Sequence, residues 1–589
     1  MNSNIKHRVD PVTLSIVLGY LETLTKQMTL VMTSTARSGI FKFAHDYSDV
    51  IFDGQCRCLV QGEDDQPIHL GTMATAAEII SQHFGNDIYE GDIIYHNDPA
   101  TGGAHLQDMM AIAPVFIDNE LMFWVANKAH QIDTGGMLAG GYQSLAEEIY
   151  QEGIRIPPVK IFEKGRERKD IIDLVMANIR YPLEQRGDLA AQLGACGVAI
   201  TGLRNLVKKY GKQTIKDCIE DMMDMGERRI RGVITNWPDG VYHGVDYLES
   251  IRGSGDLELK VKVTIEGDAM TVEWDTPPVL PAFVNSYPGN TLASVYHQVL
   301  VSARLEPPFN AGCYRPIRVN FGPPGTIANA ILPAACSNAT TTPAQNFLNA
   351  MRRALSQVLP KENLNACWGE SAGFTSSSVN PSTNKRYTWL HIDAAVSGMG
   401  AVWGADGMPW MHTEVGAGAI STPQVEEVEN DYPMLITRSE FRADSGGSGK
   451  WRGGLGGSYM VEYPNHKQVT IAVMGQGNKF APCGVLGATN RLLEPKLVRR
   501  YVLRDGKKTM LGTGERVILD EGDRFVCEVS GGGGMGNPFE RDVDEVRMDV
   551  QNEFVSVEGA LKDYGVVIEP VTLRVNTEAT AKLRKKSSV

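Results

Sequence analysis

The stretch Asp108-Met-Met-Ala-Ile-Ala-Pro-Val-Phe-Ile117, Asp118-Asn-Glu120, Leu121-Met-Phe-Trp-Val-Ala-Asn-Lys-Ala-His130 decides how this chain is read. Two runs rich in apolar and aromatic residues flank a short turn-forming segment, which predicts an antiparallel hairpin. With Asp118–Glu120 as the loop, Ile117 faces Leu121, and counting outward sets Asp108 opposite His130. Cross-strand neighbours have Cβ atoms about 4.5–5.5 Å apart, close enough to share one cation. His105 precedes Asp108 on a loop loosened by Gly102 and Gly103 and can fold over the same point. Two imidazoles and a carboxylate at one sheet end suit zinc, manganese or iron. Asp46, beside His45, is the candidate for a further carboxylate. His45, His69, His83 and His96 are read as structural, and Asp98 as the former of an Asn-Asp-Pro turn.

Working outward, Ile93–His96 reads as a strand, and Val50–Phe52 with Arg57–Gln61 as a hairpin turning at Asp53-Gly54. Helices are predicted over Val12–Met32, apolar on one side, and over Ala74–Phe84, which stops near Gly85-Asn86. Charged sequence around 168–230 reads as helical, as do 285–305 and 340–359. Leu257–Ile265 alternates polar and apolar, the mark of a strand with one wet face. Beyond about Tyr432 the chain turns glycine-rich, with clusters at Gly446–Gly457 and Gly531–Gly536. The expected fold is α+β and multi-subdomain, with mixed helices, largely antiparallel sheets and a β-rich, Gly-rich C-terminal part. A chain of 589 residues exceeds what one core serves. The expected division is a metal-binding α+β domain (1–235), a mixed α/β domain (236–430) and a β-rich domain (431–589).

The composition excludes some classes. A net charge of −13 rules out a general electrostatic grip on nucleic acid or an anionic membrane. The basic tail of Lys582, Arg584, Lys585 and Lys586 reads as a frayed, solvated terminus. Nine cysteines are dispersed, and Cys56 with Cys58 lacks the second pair a zinc ribbon needs. With no apolar leader and no transmembrane run, a protein of the reducing cytoplasm is expected.

Longer motifs are more specific. Asn97-Asp-Pro99 with Gly102-Gly-Ala-His-Leu-Gln-Asp108 is followed by Ala129-His-Gln-Ile-Asp-Thr-Gly-Gly136 and Glu148-Ile-Tyr-Gln-Glu-Gly-Ile-Arg-Ile-Pro-Pro-Val-Lys160. Then come Arg186-Gly-Asp-Leu-Ala-Ala-Gln192, Asp444-Ser-Gly-Gly-Ser-Gly-Lys-Trp-Arg-Gly-Gly-Leu-Gly456 and Gly531-Gly-Gly-Gly-Met-Gly-Asn-Pro538. In this order, over most of the chain, they resemble the hydantoinase B / 5-oxoprolinase family, which includes the metal-carrying subunits of acetone and acetophenone carboxylases. The resemblance implies metal ligands at His105, Asp108 and His130, with Asp46 as a fourth, holding one divalent transition metal, zinc or manganese. Ala104 and Gln131 stand where the family often has Thr and a second His, changes that act on hydrogen bonds around the ligands.

The resemblance also implies a hydantoinase A-type partner that binds ATP and magnesium and phosphorylates the substrate. This chain has no G-x-x-x-x-G-K-[ST] of its own, since Lys450 is followed by Trp451. Gly531–Gly536 fits G-x-G-x-x-G but lacks a βαβ setting, so it reads as a tight turn. The implied reaction is ATP-dependent opening of a cyclic amide of lactam, hydantoin or oxoproline type. Phosphorylation makes the amide carbon electrophilic, and a cation that lowers the pKa of water to about 7 completes hydrolysis. Asp133 is the candidate base or ligand-orienting residue, with a turn role before Gly135-Gly136 as the alternative. Glu148, Glu152, Arg155 and Lys160 read as a local ion-pair network, and Thr134–Gly141 as a lid. Two other readings stay open. One is a subunit of a ketone carboxylase that uses bicarbonate; the other is a non-catalytic scaffold for the ATP-binding chain.

Overall fold

A computed structural model describes residues 7–62, 65–370, 373–416, 420–488 and 496–586. The chain divides into two compact units. The first comprises Met1–His243, Val261–Ala344 and Gly418–Ser421; the second comprises Gly244–Lys260, Gln345–Ala417 and Thr422–Val589. The architecture is the expected mixture of helices and largely antiparallel sheets.

A seven-stranded sheet organises the first unit. Its strands are β1 (Tyr47–Asp53), β2 (Cys58–Gln61), β3 (Ile93–His96), β4 (Asp108–Ile117), β5 (Glu120–His130), β6 (Val159–Glu163) and β7 (Arg166–Glu167). They lie in the order β2-β1-β5-β4-β3-β6-β7, each neighbouring pair antiparallel. The hairpin differs from expectation at its tip. Asp118 and Asn119 both take left-handed conformations (φ 50° and 63°), and Ile117 pairs with Glu120. The loop therefore has two residues, and two positive φ values give the type I′ turn that matches strand twist. A bulge between Val115 and Phe116 then advances the register by one, so Val115 faces Phe123 and Asp108 faces His130 after all. The shorter loop and the bulge offset each other.

Helices α1 (Pro11–Thr35), α2 (Gly39–Lys42), α3 (Pro67–Phe84), α4 (Lys169–Ala177) and α5 (Pro182–Tyr210) surround this sheet. Because strand side chains alternate, one face offers Val50, Phe52, Ile94, Met110, Ile112, Trp124 and Ala126 to Met73, Ala76, Ala77 and Ile80 of α3. The other face packs Tyr95, Met109 and Ala111 on Ile172 and Val175 of α4 and Leu189 of α5. At the head of α1, Asp10 accepts from the N–H groups of Val12 and Thr13, with Pro11 in the first turn. Its buried stripe, including Val17, Leu21, Leu24 and Met28, lies on α5. Helix α3 begins at Pro67, well before the expected Ala74.

The predicted helices at 285–305 and 340–359 form over Pro288–Ala303 and Ala344–Leu355, and Leu257–Glu266 is the alternating strand. The second unit carries a four-stranded and a five-stranded antiparallel sheet. Its two glycine clusters interleave: Gly447 donates to the Gly532 carbonyl at 2.7 Å, and Gly532 to that of Gly454 at 2.9 Å. A Cβ on Gly453 would come within 2.0 Å of the Gly532 oxygen. Close backbone approach, rather than the tight turn expected at Gly531–Gly536, is what these glycines allow. The chain ends in helices at Val543–Gln551, Val557–Tyr564 and Thr577–Lys586, on a small core of Val546, Val550, Ala560 and Tyr564. These helices were not foreseen. Arg584 of the basic tail is anchored to the carbonyls of Tyr564 and Arg541. Cys367 and Cys483 form a disulfide, and the other seven cysteines are free and buried. Among the described residues, no helix is long and apolar enough to cross a membrane.

Asn119→Gly is expected to preserve or raise the thermal midpoint, since glycine adopts the required φ freely. Asn119→Val is expected to cost about 1–2 kcal/mol and to speed amide exchange across β4 and β5. Equal exchange in the two variants would contradict the turn assignment.

Candidate metal centre

Three adjacent strands end together. Tyr47 pairs with Ala129, so Asp46, just ahead of β1, abuts His130, whose backbone N–H donates to the Asp46 carbonyl at 3.0 Å. Asp108 opens β4 opposite His130. From the preceding loop His105 reaches back, its Nε2 2.9 Å from Asp108 Oδ1. The ligand atoms of His105, Asp108 and His130 all lie within 4.8 Å of one another. His130 Nδ1 is 3.5 Å from Asp108 Oδ1 and 3.8 Å from Asp46 Oδ2. All four side chains are buried.

Each is held from behind. His105 Nδ1 is 2.7 Å from the Ser337 carbonyl, so Nδ1 carries a proton, and whenever the ring is neutral its lone pair is on Nε2. That lone pair faces a carboxylate oxygen, and two facing acceptors require a proton or a cation between them. Asp108 Oδ2 is buried and makes no hydrogen bond. Gln66 Nε2 donates to Asp46 Oδ1, leaving Oδ2 toward His130. Tyr142 stacks on His130, with ring centroids 5.4 Å apart and planes inclined by 24°. The donor set, imidazole nitrogens and carboxylate oxygens gathered in one buried cluster, fits a divalent metal ion.

The electrostatics agree. Burial alone would raise the Asp108 carboxyl, but the charges of His105 and His69 and hydrogen bonds from His105 and His130 hold it well below the usual range. Burial opposes protonation of His105, yet the charge and hydrogen bond of Asp108 outweigh it and raise the ring. Lys128, buried with Nζ 2.6 Å from Thr72 Oγ1, is pushed down to about 8 by burial. His96 is pushed down to about 3 by burial and by Lys128, and its Nε2 bonds Thr101 Oγ1, so it is neutral and structural.

Other expected residues lie elsewhere. Asp133 is not among the clustered side chains: its carboxylate accepts from the N–H groups of Gly135 (3.0 Å) and Arg180 (2.9 Å) and from the Arg180 guanidinium (3.0 Å). Arg180 also binds the carbonyls of Gly135 and Gly136, so the segment expected to be a lid is tied down. The expected ion-pair network does not form. Arg155 pairs with Asp98 at 2.7 Å and Lys160 with Asp92 at 3.0 Å, while Glu148 caps the turn Ile149–Gln151. Glu152 instead accepts from the N–H groups of Cys336 (2.9 Å) and Ser337 (2.6 Å), fixing the peptide that orients His105. The residue that sequence reasoning missed is His69, on the first turn of α3, with Nε2 3.3 Å from Asp108 Oδ2. Pro67 marked the true helix start; a helix begun at Ala74 leaves His69 outside it.

The chain matches the family described as Hydantoinase B/oxoprolinase over residues 10–538. It is 41% identical over 566 residues to the caprolactamase subunit beta of Pseudomonas jessenii, covering 95% of this chain and 97% of that one. The acetophenone carboxylase delta subunit of Aromatoleum aromaticum is 25% identical over 569 residues, covering 89% and 82%. The crystal structure of the ATP-dependent caprolactamase from Pseudomonas jessenii matches with a TM-score of 0.93 and 38% identity, over 98% of this chain and 100% of that one. A buried His-Asp-His cluster on an antiparallel sheet is the class of site present, and this chain belongs to the hydantoinase B/oxoprolinase family.

Burial pushes the Glu152 carboxyl up to about 7 from 4.5, against the pull of its backbone donors. The unfolded chain therefore releases this proton first, and stability contributed here falls as pH rises through that interval. Glu152→Gln, which keeps an acceptor, is expected to flatten the fall of the thermal midpoint between pH 4.5 and 7. A slope unchanged from wild type would count against this assignment.

Proposed function

We propose that this chain is the metal-holding subunit of an ATP-dependent hydrolase that opens a cyclic amide of lactam, hydantoin or oxoproline type. Its partner is a hydantoinase A-type subunit that binds ATP with magnesium and phosphorylates the amide oxygen. The observation that carries this reading is the buried cluster of His105, Asp108 and His130, in a chain aligned with the caprolactamase beta subunit along nearly its full length. Those three residues, with Asp46, would hold one divalent ion, zinc or manganese. When bound, such an ion supplies Lewis-acid polarisation of an oxygen.

The chain's own residues prepare the site. Ser337 sets the His105 tautomer so that Nε2 faces inward, and Tyr142 fixes the plane of the His130 ring. Gln66 turns one oxygen of Asp46 toward His130. Burial excludes water, so charges here act more strongly than they would at the surface. Asp133, tied to Arg180, holds the loop that follows His130. A ketone carboxylase using bicarbonate is the second reading, supported by the acetophenone carboxylase relative. The higher identity to the caprolactamase subunit favours the hydrolase. A bare scaffold would have no use for four buried ionisable groups facing one another, each costly to desolvate.

The test is co-purification with the ATP-binding partner and assay of ATP turnover and product with a lactam, a hydantoin, 5-oxoproline and a methyl ketone. Labelled bicarbonate is included throughout. Ring opening without label incorporation is expected. His130→Ala is expected to lose the co-purified metal and to slow ring opening by more than roughly 100-fold, beyond the loss typical of outer residues. Metal content preserved in that variant would sink the ligand assignment, and label entering a ketone product would select the carboxylase.

A further inference from the structure

The two oxygens of Asp108 have unequal surroundings. Oδ1 lies 2.9 Å from His105 Nε2 and 3.5 Å from His130 Nδ1. Oδ2 is buried and makes no hydrogen bond, with His69 Nε2 3.3 Å away. What His69 can do there depends on which ring nitrogen carries its proton.

Ser48 answers that. Its Oγ accepts the backbone N–H of Gln66 at 3.1 Å and lies 2.9 Å from His69 Nδ1. Ser48 is fully buried, so its hydroxyl proton needs an acceptor within the protein, and Nδ1 is the one present among the described residues. A proton on Nδ1 would leave that hydroxyl unsatisfied and would turn the Nε2 lone pair toward a carboxylate oxygen. With the His69 proton on Nε2, Ser48 donates to Nδ1, and an N–H rather than a lone pair faces Asp108 Oδ2 across 3.3 Å. His105 is the reverse case. There a carbonyl takes the Nδ1 proton and leaves Nε2 open to an ion.

We infer that His69 is a positioning residue: its Nε2–H, set by Ser48, lies against Asp108 Oδ2 and favours Oδ1 as the oxygen presented to His105 and His130. A ring nitrogen that bears a proton does not ligate, so His69 stands apart from the ligand set. The inference rests on the metal reading above. Helix α3 makes the arrangement possible, because its first turn brings His69 to the sheet end while Thr72, farther along, holds Lys128 Nζ.

The test uses the full-length chain, stripped of metal and titrated with Zn²⁺ against a chromophoric chelator, with stoichiometry from elemental analysis and folding from circular dichroism. Wild type is compared with His69→Ala, His69→Gln, Ser48→Ala and His130→Ala. His69→Ala is expected to weaken Zn²⁺ affinity by about 10–100-fold with full occupancy at saturation. Ser48→Ala should shift affinity the same way by less, and His69→Gln, whose amide N–H falls near the position of Nε2, should recover much of the loss. If His69→Ala does not fold, Ser48→Ala and His69→Gln carry the comparison. Stoichiometry lost in His69→Gln, as in His130→Ala, would make His69 a ligand and overturn the inference. Affinity unchanged in the His69 and Ser48 variants would overturn it as well. A wild type that takes up no Zn²⁺ would instead bring down the metal reading itself.

Discussion

A carboxylate cannot sit alone in a protein interior, and Asp108 is only 1% exposed at the end of a seven-stranded sheet. Much of the first unit serves that requirement. The β4–β5 register sets His130 against Asp108, and β1 brings Asp46 alongside. The loop ahead of β4 folds His105 back, and α3 supplies His69. Remove any of the three histidines and Asp108 loses a neighbour that keeps it ionised.

Charge balance points the same way. Two carboxylates facing neutral imidazoles leave negative charge in a dry site, and a divalent cation offsets it. Protonation of His105 is the alternative, and it is favoured by the same Asp108 that the cation would contact. A proton and a metal ion would therefore compete for one place. Lys128, the nearby buried cation, donates to a threonine hydroxyl, and burial depresses it while the charge of Asp108 pulls it back up.

Acidic residues around this unit fall into two kinds, and hydrogen-bond donors separate them. Asp133 and Glu152 spend their oxygens on backbone N–H groups or on an arginine, and so shape loops. Asp46 and Asp108 each keep an oxygen without a backbone donor and turn it toward a histidine. The second unit repeats the first kind: Glu249 accepts from the consecutive N–H groups of Gly477, Asn478, Lys479 and Phe480. A carboxylate saturated in this way is committed to folding the chain.

The sequence by itself determined what is short-range. The spacing of the two strand runs about their loop set Asp108 against His130, because pairing within a hairpin depends on local spacing, while the two-residue turn and the bulge that offsets it were visible only in the structure. The motifs quoted above identified the family before any geometry was known. Tertiary structure alone decided the surroundings of the clustered side chains. Ser337 lies 232 positions from the His105 it orients, and Glu152 stands behind it through a further segment. It also decided that Asp133 belongs to a loop and His69 to the site. No periodicity encodes such pairings, since a buried donor or acceptor takes whichever partner the packing of distant segments brings within reach.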